Sequence, residues 1–248
     1  MSRGYQYNYS DINSDMLNYE NRIVKAKKIA AVLMKECNDL GSLSCLDIGC
    51  SGGIITHHLS SYMGNIIGID IDQKAIETAN QKFRSSNCQF IYGDSMNLPF
   101  DDFSFDIVIC NHIYEHVPDS QRLINEIYRV LKKNGVCYFG AGNKYMIKEN
   151  HYKLYFLSWL PQKYADLYIK KCRNINHYYE KHLSYNGLKK LVAKFEIKDY
   201  TEKIILEPYK YHESDRLMFR TLRMLPGPVR RCLIKAFTQT FIWVIKKN

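Results

Sequence analysis

Residues 46–53 read LDIGCSGG. An apolar run from Leu43 to Ile48 enters this stretch, and a helical pattern from Ile54 to Met63 leaves it. The glycines therefore lie in a turn between a buried strand and a helix, where absent side chains let backbone approach a ligand closely. Asp47 ends the strand, placed either to hold the loop or to meet a ligand ammonium. Outward from this turn the alternation continues. Asn65 to Ile71 is a second buried strand, and Asp72 caps a helix with the stripe Ala75, Ile76, Ala79 and Phe83. Before the turn, residues 16–37 carry Ile23, Ala26, Ala30, Leu33 and Met34 at helical spacing.

The pattern persists toward Gly140. Gln89 to Tyr92 and Phe105 to Cys110 read as strands, Ser120 to Lys133 as a helix closed by Asn134-Gly135, and Val136 to Gly140 as another strand. Strands alternating with helices predict a parallel sheet covered on both faces. Asp70 ends the second strand, where a Rossmann-type fold sets a carboxylate to accept ribose hydroxyls. Beyond Gly140 the pattern loosens into a stretch rich in Tyr, His and Lys, with an amphipathic segment near 159–172. Ser184 caps an expected helix at 185–194, Glu196 to Leu206 reads as a strand and 212–225 as a helix. Pro226-Gly227-Pro228 is a hard break.

Four segments together resemble class I S-adenosylmethionine-dependent methyltransferases (the methyltransferase type 11-like domain): LDIGCSGG, IIGIDID, YGDSMNLPFDDFSFDIVICNHIYEHV and NEIYRVLKKNGVCYF. The resemblance covers roughly 43–140, more loosely 184–206. It implies an α/β fold: a Rossmann-like doubly wound sheet, mostly parallel with an antiparallel last strand, helices on both faces and an insertion after the fifth strand. It implies one domain over 1–248, with an N-terminal helical segment (1–42), a cofactor-binding core (43–140), an insertion over the acceptor site (141–183) and a C-terminal part (184–248). The implied cofactor is S-adenosyl-L-methionine. Asp47, Gly49 and Gly53, with Cys50 and Ser51 between them, match the loop around its methionine part. Asp70 matches the ribose carboxylate, and Ile71 the residue packing on adenine. Asp94, followed by Ser95, matches the acceptor of the adenine amino group, and Asn111 the position beside the reactive methyl. The family usually carries glycine where this chain has Ser51, and the glycine here stands one residue later.

Two other chemistries compete for these motifs. A dinucleotide site wants G-x-G-x-x-G, and glycines at 49, 52 and 53 do not fit that spacing. His112-Ile113-Tyr114-Glu115-His116 matches H-x-x-E-H, which on a helix would set two histidines on one face for zinc. The motif abuts a buried strand inside the methyltransferase-like block, so no metal is expected. Methyl transfer itself needs alignment of a nucleophile with the methyl–sulfur bond, exclusion of water and, for a hydroxyl acceptor, a nearby base. His116, just past the fourth strand, is the first candidate base, and His151 in the insertion the second.

The acceptor is expected to be a small molecule, a glycan or a lipid precursor, because Tyr145, His151, Tyr152, Tyr155, Phe156 and Trp159 give the insertion an aromatic, basic surface. The alternative is a cofactor-binding but catalytically silent scaffolding or regulatory protein. The net charge is +10, and from Lys203 onward ten basic residues face three acidic ones. Such a tail suits an anionic partner or a peripheral membrane contact through a basic amphipathic helix over 228–247. Thr240 to Ile245, however, is β-branched and aromatic and reads better as a strand. With no RNP-type motif, nucleic acid is not expected. Eight scattered cysteines without a CxxC pair, and an N-terminus without an apolar signal core, suit a cytoplasmic chain.

Overall fold

The computed structural model describes residue 7 and residues 18–247. The expected helix start at residue 16 lies outside the described residues. Helix α1 (Tyr19–Leu33) comes first along residues 18–247, with Asn18 accepting from the Asn21 amide at 3.1 Å. The strands are β1 (Ser44–Ile48), β2 (Asn65–Asp70), β3 (Cys88–Tyr92), β4 (Phe105–Asn111), β5 (Leu131–Gly142), β6 (Glu196–Asp199) and β7 (Thr240–Lys246). They form one sheet in the order β3-β2-β1-β4-β5-β7-β6. Pairings β1–β2, β1–β4, β2–β3 and β4–β5 are parallel; β7 runs antiparallel to both β5 and β6. This is the expected Rossmann-like sheet, and the tail supplies its antiparallel last strand in sequence while β6 occupies the edge.

The helices between strands are α2 (Ile54–Ser60), α3 (Gln73–Phe83) and α4 (Ser120–Val130). Asp72 Oδ1 accepts from the Ala75 amide at 3.1 Å and Asp119 Oδ1 from those of Gln121 and Arg122, so side-chain caps set both starts. Two apolar layers sandwich the sheet. One joins α1, α2 and α3 to Ile66, Ile107 and Val244; the other joins α4 to Ile48, Val108, Phe139 and Trp243. β7 is apolar on both faces and buried along Phe241–Ile245, as a strand covered on both sides must be.

The insertion carries α5 (Gln162–Arg173) and packs its own small core of Leu154, Leu157, Ala165, Ile169 and Tyr178. After it come α6 (Tyr185–Leu191), α7 (Thr201–Leu206), α8 (Leu217–Arg223) and α9 (Gly227–Phe237). Two expectations are corrected here. The strand expected over Glu196–Leu206 stops at Asp199, because Asp199 Oδ1 accepts the Thr201 amide at 2.8 Å and turns the chain into α7. The apolar face of Ile204 and Ile205 is then buried helically. The second concerns 228–247, which divides: α9 starts at the proline break, and the chain then enters β7 as a strand. No helix among the described residues is long and apolar enough to cross a membrane.

Candidate active site

The carboxyl ends of β1 to β5 and the start of β7 meet at one edge of the sheet, because β7 runs opposite to its neighbour. The strand order reverses between β1 and β4, and open α/β sheets form their ligand crevice at such a point. A cavity of ≈ 460 Å³ opens there, within the range of small-molecule sites. Helix α1 contributes Arg22, Lys25 and Lys28 to its wall, the insertion contributes Asn150, His151 and Lys153, and α8 contributes Met218 and Phe219.

The loop after β1 takes an unusual path. Gly49, Ser51 and Gly53 all have left-handed backbone, at φ 72°, 50° and 79°. Asp70 holds this path in place: its Oδ2 accepts the Ser51 amide at 2.7 Å, and its Oδ1 accepts the Asp72 amide at 2.9 Å. Each oxygen keeps lone-pair capacity for a further donor. Burial raises the Asp70 carboxyl, while these amide bonds pull it back. A Cβ at Gly53 would lie 2.7 Å from Phe90 and 2.8 Å from Ala79, so glycine is required for the close approach of α2 to β3 and α3. Position 52 has open space and no positive φ, and the family's glycine at 51 is replaced by a serine that adopts the left-handed conformation at about 1–2 kcal/mol. Asp70 compensates for that strain.

Past β4, the segment 112–116 is a turn rather than a helix, and His112 is itself left-handed at φ 60°. The i, i+4 face that H-x-x-E-H zinc binding needs is therefore not formed. His112 Nδ1 lies 2.9 Å from Glu115 Oε1, and His116 Nδ1 faces Glu180 Oε1 at 3.7 Å. Fully buried Glu115 would be raised by desolvation, but the His112 bond and charge hold it down at about 2. Burial instead drives His116 down to about 3, so this ring is neutral over the physiological range. Its neighbour His151 packs edge-on at 4.8 Å between ring centroids. His151 is bonded through Nδ1 to Glu149 Oε1 at 2.7 Å. Burial disfavours its charge, yet the Glu149 bond outweighs burial and raises it.

Gly49, Ser51, Asp70, Ile71, Asp94, Ser95, Asn111, His116 and His151 line the one cavity. Three residues of the expected loop do not. Asp47 is buried behind it and accepts the Thr56 hydroxyl at 2.6 Å, tying the loop to α2. Cys50 and Gly53 pack beneath the loop, Cys50 against Gly68. Asp94 Oδ1 accepts the Met96 amide at 2.8 Å, which turns the chain after β3 into the cavity. Sequence reasoning missed the cationic row Arg22, Lys25 and Lys28, although their spacing already set them on one helix face. It also missed Glu149, Glu180 and His182, for which no spacing in the chain gives a signal.

Comparison with known proteins adds the following. Residues 46–139 match the family described as methyltransferase domain. The chain is 34% identical over 139 residues to a demethylmenaquinone methyltransferase of Lactococcus lactis subsp. lactis, covering 53% of this chain and 55% of that protein. It is 30% identical to a ubiquinone biosynthesis O-methyltransferase of Rickettsia conorii, covering 59% and 52%. The chain thus spans about half the length of these curated relatives. In fold it is similar to the PH0226 protein of Pyrococcus horikoshii, with a TM-score of 0.60 over 98% of this chain and 95% of that one, at 20% identity.

Asp47 generates a stability prediction. Burial raises its carboxyl to about 7 against the pull of the Thr56 hydroxyl, whereas in the unfolded chain it titrates near 4. Its contribution to stability is fully present below about pH 4 and is lost as the pH rises through 7. Asp47→Asn keeps an acceptor for Thr56 and does not titrate. Urea unfolding is expected to show the variant gaining on the wild type between pH 4 and pH 7, by up to about 4 kcal/mol. A difference independent of pH would show that Asp47 is not protonated on folding.

Proposed function

We infer that this chain, a class I S-adenosylmethionine-dependent methyltransferase with its methyltransferase domain at residues 46–139, transfers a methyl group to a small-molecule acceptor of the quinone or lipid-precursor kind. The single observation that carries the reading is the cavity at the switch point, which gathers Gly49, Ser51, Asp70, Ile71, Asp94 and Asn111 from two βα loops, the β3–β4 connection and two strand ends. The names of the relatives favour a quinone-type acceptor, and the aromatic insertion suits a flat ring.

These residues fit S-adenosylmethionine. The Asp70 carboxylate, already oriented by two backbone amides, has acceptor capacity left for ribose hydroxyls. Ile71 offers an apolar surface to the adenine, and Asp94 and Ser95 offer polar atoms at its edge. Gly49 leaves backbone without a side chain beside the methionine part, and Asn111 stands at the inner end of that space. When bound, the cofactor supplies an activated methyl group on a sulfonium, which is a good leaving group. The protein's part is then to exclude water, align the acceptor and accept a proton. Orientation of this kind can supply roughly 7–11 kcal/mol of the barrier.

His151 is the better proton acceptor of the two candidates in the metal-free chain. Glu149 fixes its Nδ1 and raises its affinity for a proton, and it can take the acceptor's hydroxyl proton at its other ring nitrogen. His116, whose proton affinity is depressed by burial, serves as a neutral wall beside it. The order expected from sequence, His116 before His151, is reversed on this argument.

Peripheral contact with a membrane is part of the same reading. Leu217 is 77% exposed and Met224 85%, on and just after a helix that also carries Arg220 and Arg223. Helix α8 borders the cavity through Met218 and Phe219, so a bilayer held there would present a lipophilic acceptor to it.

Four outcomes test these proposals. With labelled S-adenosylmethionine and pooled quinone-type acceptors, the wild type is expected to release labelled product; cofactor binding without any transfer would favour the scaffolding alternative. Asp70→Ala is expected to weaken cofactor binding at least tenfold by calorimetry, and His151→Ala to lower turnover at least tenfold with that binding intact. Unchanged cofactor binding would remove the ribose assignment, and undiminished turnover the base. In sedimentation with anionic liposomes, the double variant Leu217→Glu, Met224→Glu is expected to stay in the supernatant while the wild type pellets. Truncation at residue 228 does not serve here, because it deletes β7 from the core of the sheet.

A further inference from the structure

A second cluster adjoins the cavity and is built from side chains far apart in sequence. We propose that His116, His151 and Glu180 form a binding site for a divalent transition-metal ion of the zinc type, open to the cavity on one side. One ligand atom from each lies within 4.8 Å of the others. His116 Nδ1 and Glu180 Oε1 are 3.7 Å apart. Ligand atoms around zinc, at bonds of about 2.0–2.1 Å, stand roughly 3.3 Å from one another, so side-chain movements of about 1 Å complete the set.

The cluster has the supports of a metal centre. Glu149 holds His151 through Nδ1, the carboxylate–histidine arrangement that fixes the tautomer and orientation of a metal-ligating imidazole. Glu180 is 4% exposed, and its Oε2 has no hydrogen-bond partner. A buried carboxylate oxygen in that condition is costly unless a cation meets it. The ion-pair partners of Glu149 and Glu180 are histidines. His182, also buried, stands with its Nε2 3.7 Å from Glu149 Oε1, beyond hydrogen-bond reach.

The scaffold is rigid. The Lys181 amide donates to the Glu115 carbonyl at 3.0 Å, and the Leu183 amide to Tyr114 Oη at 2.9 Å. Tyr114 Oη in turn donates to the Gly142 carbonyl at 2.6 Å. A Cβ at Gly142 would lie 2.7 Å from His182 Nδ1, so the end of β5 is left bare for the cluster to pack against.

Mixed imidazole and carboxylate donors favour zinc and its neighbours over calcium or magnesium. Two histidines and one carboxylate leave a coordination position open, and both histidines line the cavity. An acceptor oxygen reaching that position would be polarised by the ion. The second ring nitrogen of His151 holds either a proton or the ion, so this site belongs to the metal-loaded chain. It stands independently of the acceptor's identity.

The test uses the full chain, stripped with a chelator and titrated with Zn²⁺ alone by calorimetry, and with Co²⁺ in a parallel visible spectrum. One Zn²⁺ per chain is expected. Glu180→Gln is expected to weaken binding at least tenfold, and Glu149→Gln, acting through His151, by about 10–100-fold. Circular dichroism shows whether each variant is folded, and His116→Gln at the cavity wall replaces either variant that is not. The Co²⁺ spectrum is expected to lack a sulfur-to-metal charge-transfer band. Absence of stoichiometric zinc, equal affinity in the folded variants, or a thiolate band placing the ion on exposed Cys172 or Cys232 would each overturn the proposal.

Discussion

The hydrogen bond from the Ser51 amide to Asp70 Oδ2, 2.7 Å long, joins the loop after β1 to the end of β2. It offsets the strain at Ser51, the non-glycine residue among the three left-handed ones of the loop, which is about 1–2 kcal/mol. The bond works because β1 and β2 are parallel and in register, Ile48 opposite Ile69, so that both chains leave the sheet at one level. The Gly49 and Cys50 amides both reach back to the Ile69 carbonyl and fix the same turn from below. One carboxylate thereby shapes the loop and still presents acceptor capacity to the cavity.

Asp47 and Asp70 divide two tasks that a sequence motif lists together. Asp47 is buried beneath the loop and anchors α2 through Thr56, while Asp70 lies at the cavity wall. Their titration follows from that placement: burial with one hydroxyl donor leaves Asp47 near neutrality, whereas backbone amides restrain the rise at Asp70. The histidine–glutamate cluster shows the opposite balance. Glu115 and Glu149 stay ionised although buried, because imidazoles bond to them directly. Glu180, whose facing histidine is 3.7 Å away, is raised by its burial. Differences of one ångström in partner distance thus set the direction in which each buried carboxyl is moved.

The cavity is completed by elements that follow the parallel sheet in sequence. β7 inserts between β5 and β6 in the antiparallel sense, which brings Thr238, Gln239 and Thr240 to the carboxyl edge. Asn143 clamps this entry, donating through Nδ2 to the carbonyls of Ala236 and Thr238. Trp159 of the insertion stacks on Phe237 at the end of α9, so insertion and tail meet over the same edge.

The alternating strands, the glycine turn and the helix caps were legible in sequence because each rests on neighbours a few residues apart. Apolar runs such as FDIVIC, the Asp72 and Ser184 caps and the β-branched tail 240–245 act locally. Where Asp199 outcompeted a strand pattern, a single side-chain bond reversed the reading of 200–206. Only the tertiary structure decided that His116, His151 and Glu180 share one corner, that Asp47 faces inward and that Arg22 reaches the cavity. Those contacts join segments tens of residues apart, and their distances are set by how the insertion packs on the sheet, which no periodicity of the chain encodes.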